Sequence, residues 1–251
     1  MLLSVAYRGI GIPLFWSVTG SKGSSSTSER IHILKQVLQK IGPRRIQAFL
    51  ADREFIGDDW FRFLKKSKIP FVIRIKKNTL ATGIRAYPIP VLTLWKNRGR
   101  SKSVINAPVL IWGNLLYVSI RQGKGAKEPM IVVSNKTFKD ALNLYQRRWE
   151  IETLFGCLKS RGFRMEDTHI TSPEKIEKLL FVLAIAFCWA YKLGGVNDTE
   201  NPIPKKNHGR MSKSLFRLGL DYFRLAILFI EKRMREFLKI VKLLTTCELA
   251  C

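Results

Sequence analysis

Acidic residues are scarce in this sequence. Only 19 Asp and Glu stand against 44 Lys and Arg in 251 residues, a formal net charge of +25. Such an imbalance says nothing of fold, but it selects for polyanionic partners. Cysteine is scarce too. Cys157, Cys188, Cys247 and Cys251 show no CxxC pairing, and His32, His169 and His208 are dispersed. That pattern excludes a zinc cluster of the usual ligand count and reads as reduced thiols; Cys247 and Cys251 could share a metal only with partners the sequence does not place near them. Long apolar runs are lacking as well. The longest uninterrupted one, Leu179 to Tyr191, falls short of the roughly 20 residues that cross a bilayer, and no leader-like segment opens the chain. A cytoplasmic protein with no membrane partner is therefore expected. With 46% apolar and 11% aromatic residues, disordered, collagen-like and coiled-coil classes are excluded and a folded core is expected.

Along the chain, Leu2 to Val18 reads as two strands around the Arg8-Gly9 turn, followed by a Gly/Ser-rich loop. Ser26-Thr27-Ser28-Glu29 has capping-box form before Ile31, Leu34, Leu38 and Ile41 at helical spacing, and Gly42-Pro43 ends that helix. Ile46 to Ala51 is a short strand ending in an acid, Asp52. A helix from Asp58 or Asp59 to Lys68 and a second strand, Phe71 to Ile75, follow. Strand, helix and strand with short connections predict a parallel pair in an α/β sheet, with Asp52 at the carboxyl end where ligands gather.

Between Trp60 and Lys127 there is no Asp or Glu, while fifteen Lys and Arg fall in the same span. A merely solvated face would carry both signs. Short alternating runs near 104–112, 115–121 and 130–133, broken by Pro and Gly, make this a β-rich basic insertion. Trp95, Trp112 and Tyr117 are interleaved as candidates for stacking on bases. A long helix is predicted from Asp140 to about Arg161, then a buried core helix around Leu179 to Tyr191, a polar linker from 197 to 210 and a basic amphipathic helical region from 215 to 244.

On the first of these helices stand Tyr145, Arg148, Glu152 and Lys159. At 3.6 residues per turn they fall at roughly 0°, −60°, −20° and −40°, one narrow stripe flanked by Leu144, Ile151, Leu154, Phe155 and Leu158. An Arg148–Glu152 i, i+4 pair alone would be ordinary helix support, but it leaves Tyr145 and Lys159 unexplained. The apolar flank leaves the polar stripe to line a groove.

The Y-x2-R-x3-E-x6-K spacing, with Ala51-Asp52-Arg53-Glu54 at a strand end and the opening Tyr7-Arg8-Gly9-Ile10-Gly11-Ile12-Pro13-Leu14, resembles the IS-four family of bacterial DDE transposases over about residues 1–195. The resemblance implies an α/β, RNase H-like catalytic core interrupted by a β-rich insertion. Its parts would be 1–78 and 137–195, with the insertion at 79–136 and a linker and helical tail at 196–251. It implies DNA transposition: cleavage at the ends of an insertion sequence and strand transfer to target DNA. Mg²⁺ or Mn²⁺ would be the cofactor, since two ions about 4 Å apart can stabilise the attacking and leaving oxygens. Asp52 and Glu152 match the second and third catalytic, metal-binding acids, and Tyr145, Arg148 and Lys159 match the residues that grip the DNA end. The partners implied are double-stranded DNA and a second subunit, as a homodimer or as a mixed dimer with a full-length transposase. The setting implied is the bacterial cytoplasm and nucleoid.

One acid of the triad is missing. The first 51 residues hold no Asp and only Glu29, which the capping box accounts for. The chain therefore reads as an N-terminally truncated transposase whose sheet lacks its first, central strand and which is inactive alone. Three readings stay open: an enzyme completed by a carboxylate from elsewhere, a non-catalytic DNA-binding remnant or regulator, and a basic RNA-associated or structural protein without this ancestry.

Overall fold

The computed structural model describes residues 1–18, 25–83, 87–96, 103–207, 209 and 211–245. His208, Cys247 and Cys251, and with them the question of a metal at the last two cysteines, lie outside the described residues. The chain divides into two compact units, Met1–Ile151 and Glu152–Cys251.

The first unit opens with a hairpin, β1 (Leu2–Tyr7) and β2 (Ile10–Trp16). Its turn residues Arg8 and Gly9 both have positive φ, 47° and 86°, the two-residue geometry whose twist matches paired strands. β2 runs unbroken through Gly11-Ile12-Pro13. The register shifts between Leu3 and Ser4, opposite Pro13, so the proline is absorbed at a bulge. Helix α1 (Thr27–Ile41) begins as its capping box predicts, with Ser26 Oγ accepting from the Glu29 N–H and a Glu29 carboxylate oxygen accepting from the Ser26 N–H. Next come β3 (Phe49–Ala51), α2 (Asp58–Lys66) and β4 (Phe71–Arg74), and β3 and β4 pair in parallel. A small ribbon of β5 (Leu80–Ala81) and β6 (Ile89–Pro90) precedes α3 (Val91–Lys96), then β7 (Ser103–Ile111), β8 (Asn114–Arg121) and β9 (Met130–Ser134).

The β-rich segment does not stand as a sheet of its own. Strands β7, β8 and β9 continue the sheet begun by β3 and β4, in the order β3-β4-β9-β8-β7, with β9 antiparallel to β4. The hairpin forms a separate two-stranded sheet, and β3 is an edge of the larger one. Burial explains the continuity. Ile73, Ile120, Ile131 and Val133 share one apolar cluster with Trp60, Phe61 and Leu64 of α2, which covers that face. On the other face Val72 and Val132 are covered by Ala141, Leu142 and Tyr145 of α4 (Ala141–Gln146). A sheet covered on both faces is a mixed α/β architecture.

The expected single helix from Asp140 to Arg161 is segmented. After α4 comes a 3-10 turn, Arg147–Trp149, then α5 (Glu150–Gly156), then a π-helical turn, Cys157–Arg161. These turns wind at different angles per residue, so one stripe at 100° per residue does not run from Tyr145 to Lys159.

In the second unit, α6 (Pro173–Glu200) is followed by α7 (Leu215–Leu228) and α8 (Met234–Thr245). The predicted linker is thus partly helical, because α6 runs on to Glu200. At 28 residues and a hydropathy of 1.9 over its most apolar window, α6 is long and apolar enough to cross a membrane by length and composition; counting only the unbroken run missed this. Nor is it the fully buried core helix expected. Phe187, Ala190, Leu193 and Gly194 are buried, but Phe181, Val182, Ile185 and Trp189 are exposed. Helices α6 and α7 approach through glycine: a Cβ on Gly194 would overlap the Leu215 carbonyl oxygen, and one on Gly219 the Ala190 carbonyl oxygen. Gly195, one residue on, faces open space. Gly194→Ala should therefore destabilise the protein by about 1–3 kcal/mol, since a backbone carbonyl must move. Gly195→Ala should stabilise it by about 0.5–1 kcal/mol, the ordinary helix gain. Urea denaturation of the two variants checks both signs.

Candidate functional site

Asp52 lies where prediction put it, immediately past the carboxyl end of β3. One of its oxygens, Oδ1, accepts the Arg53 N–H at 2.8 Å and faces the Tyr145 hydroxyl at 3.5 Å, the outer limit of a hydrogen bond. Helix α4 makes this meeting possible. Asp140 caps it by accepting the Asn143 N–H at 2.9 Å, and its apolar face lies on Val72 and Val132, which lays the Tyr145 ring across the sheet towards the end of β3. Tyr145 is therefore buried, with 4% of its surface exposed, instead of lining an open groove as the stripe predicted. The helix angle placed it beside Arg148 but could not say that a sheet covers it.

Burial, reinforced by the negative charge of Asp52, pushes the Tyr145 phenol up to about 12, against the opposing pull of Arg148 and Arg74. The hydroxyl thus keeps its proton at neutral pH and serves as a donor. Arg148 sits on the 3-10 turn with its guanidinium carbon 6.0 Å from the Tyr145 ring centroid. Its neighbour Arg147 donates to the Ala6 carbonyl of β1 at 2.6 Å and to Glu150 at 3.1 Å, which ties this turn to the hairpin. Gly11 permits the close approach: a Cβ there would stand 3.1 Å from the Glu150 carbonyl oxygen. Sequence reasoning missed both Arg147, which belonged to no spaced motif, and Arg74, whose charge reaches Tyr145 from the end of β4.

In the second unit Glu152 and Lys159 line one cleft of about 370 Å³ with Phe155, Gly156, Ser160 and Glu166. Lys159 stands on the π-helical turn and pairs with Glu166 at 3.3 Å, both about half exposed. Glu166 carried no signal in the sequence, because the turn at Met165–Thr168 that presents it has no hydrophobic period. Of the aromatic candidates, Trp112 is 46% exposed at the β7–β8 turn, whereas Trp95 packs against the apolar core, its indole N–H buried without a partner. Trp149, beside Arg148, is exposed and was not singled out.

The family model for the Transposase DDE domain matches residues 13–189, well over half the chain, and the protein belongs to that family. No curated protein matches the chain. Membership implies transposase activity and DNA as partner, and such domains are generally dependent on a divalent metal. Tested against that requirement, the donor set is incomplete: among the described residues no three His, Cys, Asp or Glu side chains gather where they could hold an ion. Asp52, Tyr145, Arg148 and Arg74 thus bring a carboxylate, a neutral hydroxyl donor and two cations together near the end of β3.

The raised Tyr145 value has a measurable consequence. Between about pH 10 and 12 the unfolded chain loses this proton while the folded one keeps it, so stability falls as pH rises through that window, by up to about 3 kcal/mol. Tyr145→Phe should flatten the fall. Denaturation midpoints of both proteins from pH 9 to 12 measure it.

Proposed function

We propose that the protein acts at insertion-sequence ends as an IS-four type transposase subunit on an RNase H-like core, in the bacterial cytoplasm. In this reading Arg148 and Lys159 hold backbone phosphates as cations, and Tyr145 donates its hydroxyl to the same strand. Asp52 and Glu152 would be two of the acids that hold Mg²⁺ or Mn²⁺, whose chemistry would be Lewis-acid activation of a phosphodiester. The β-rich stretch 79–136 contributes a basic surface, and the working form is a dimer. The observation that carries the reading is Asp52 beside Tyr145 and Arg148, within a chain whose family is established.

A second reading, a non-catalytic DNA-binding regulator of a complete transposase, is favoured by the absence of a three-acid cluster among the described residues. Both readings require DNA binding; they part at cleavage. Binding should weaken steeply with salt. Arg148→Ala and Lys159→Ala should each lower affinity and make the log–log salt slope shallower by about one, read by fluorescence anisotropy on a duplex oligonucleotide. Unchanged slopes in both variants would remove these two residues from the phosphate contacts. Incubated with Mg²⁺ or Mn²⁺, the chain alone should leave duplex DNA uncut on a denaturing gel. Metal-dependent nicking that Asp52→Asn and Glu152→Gln abolish would decide for the enzyme over the regulator.

A further inference from the structure

Three strand ends in the first unit meet around a cleft that shares Arg74 with the candidate site. Arg53 follows β3, Arg74 ends β4 and leads to Lys76 and Lys77, and Glu128 with Pro129 leads into β9. The antiparallel pairing of β4 with β9, extended by the Ile75 N–H donating to the Ile131 carbonyl at 3.1 Å, brings the last two segments side by side. The cleft measures about 270 Å³ and is lined by Arg53, Arg74, Lys76, Lys77 and Glu128 among others. Four cations therefore face one carboxylate. Among the described residues Lys77 alone of these cations is paired, with Glu128 at 2.7 Å, and both partners are more than half exposed. Glu128 is also the first acid after the acid-free span from Trp60 to Lys127. Packing like charges round a cavity is unfavourable unless an anion offsets them. Glu128 is the anion the chain itself supplies: its carboxyl is held below the usual carboxylate range by the hydrogen bond from Lys77 and the charge of Lys77, with smaller help from Arg53 and Arg74.

We propose that this cleft is a phosphodiester subsite for duplex DNA and that Glu128 is its built-in competitor, occupying Lys77 until a backbone phosphate displaces it. The inference rests on the DNA-binding reading above and adds a place and a regulator to it. Binding then exchanges the Lys77–Glu128 pair for a Lys77–phosphate pair, while Arg53, Arg74 and Lys76 gain a partner. Because an exposed pair of this kind is weak, the competitor can be displaced, and it sets affinity without blocking the cleft.

The test compares the full chain with Glu128→Gln, with Arg53→Gln/Lys76→Gln, and with Glu174→Gln, which removes the same charge from the exposed Glu174–Lys178 pair on α6. The probes are a short DNA duplex, an RNA duplex of the same sequence and inorganic phosphate as competitor. Glu128→Gln should bind the DNA duplex about three- to five-fold more tightly, a gain that misfolding cannot produce, and Glu174→Gln should not. Arg53→Gln/Lys76→Gln, both exposed side chains, should weaken binding and make the salt slope shallower by about two, with an unchanged melting temperature. Equal gains from Glu128→Gln and Glu174→Gln would reduce the effect to net charge and overturn the proposal. A gain confined to RNA would overturn it in favour of a different partner. If the parent chain binds DNA but neither cleft variant changes it, this subsite falls while the DNA-binding reading stands. No DNA binding by the parent chain at low salt sinks both.

Discussion

Parallel pairing of β3 with β4 is the constraint on which the rest of the first unit depends. Phe49 opposite Phe71 and Ala51 opposite Ile73 fix the register, and because the two strands run the same way, whatever follows each emerges at the same end of the sheet. Asp52 and Arg53 leave one strand there, and Arg74 ends the other. Antiparallel β9 then enters beside them and delivers Glu128. The pair can hold only because α2 buries Trp60, Phe61 and Leu64 on one face while α4 covers Val72 on the other. An apolar sandwich thus decides which charged side chains meet, although none of those charges contributes to the sandwich.

That division explains what could be read from the sequence and what could not. The capping box of Ser26 and Glu29 was legible because every atom in it lies within four residues. Asp52 at a strand end was legible because a short apolar run, a helix and Pro70 before another run leave few alternatives to a parallel pair. The burial of Tyr145 was not, since an angular stripe on a helix shows which residues share a face and not what covers that face. The pairing of Lys77 with Glu128 spans 51 residues and depends on β4 lying against β9, a neighbour relation that no local pattern encodes. Glycine at the α6–α7 contact was equally silent: Gly194 and Gly195 look alike in sequence, and only the partner helix distinguishes them.

Segmentation of the helical run after Asp140 matters for how the motif residues act. Tyr145 is held by packing on the sheet, and the 3-10 turn carrying Arg148 is anchored to the hairpin through Arg147 and the Ala6 carbonyl. Glu152 follows on α5, and Lys159 is presented by a π-helical turn, a geometry that widens the helix and recurs where side chains must be re-aimed. Fixed spacing in the sequence therefore does not mean a fixed angular face. It preserves the order in which sheet packing, a tight turn and a wide turn each place one residue.

Charge, the scarcest resource of one sign in this chain, then takes on a positional meaning. Spread evenly, a surplus of 25 positive charges would give a diffuse attraction that salt screens within about 10 Å. Here four of the eight acids in the first unit sit against particular cations: Asp58 on Arg62, Glu128 on Lys77, Asp140 facing Arg121 and Glu150 on Arg147. Each such carboxylate offsets one cation and leaves its neighbours in surplus. At the end of the β3–β4 pair the surplus includes Arg53, Arg74 and Lys76, and Asp52 is the acid set among them whose hydrogen bonds come from the Arg53 backbone N–H and the neutral Tyr145 hydroxyl. In the DNA-binding reading proposed above, those cations would meet the backbone phosphates, while Asp52, which among the described residues is in no ion pair, would repel a phosphate unless a cation stood between them.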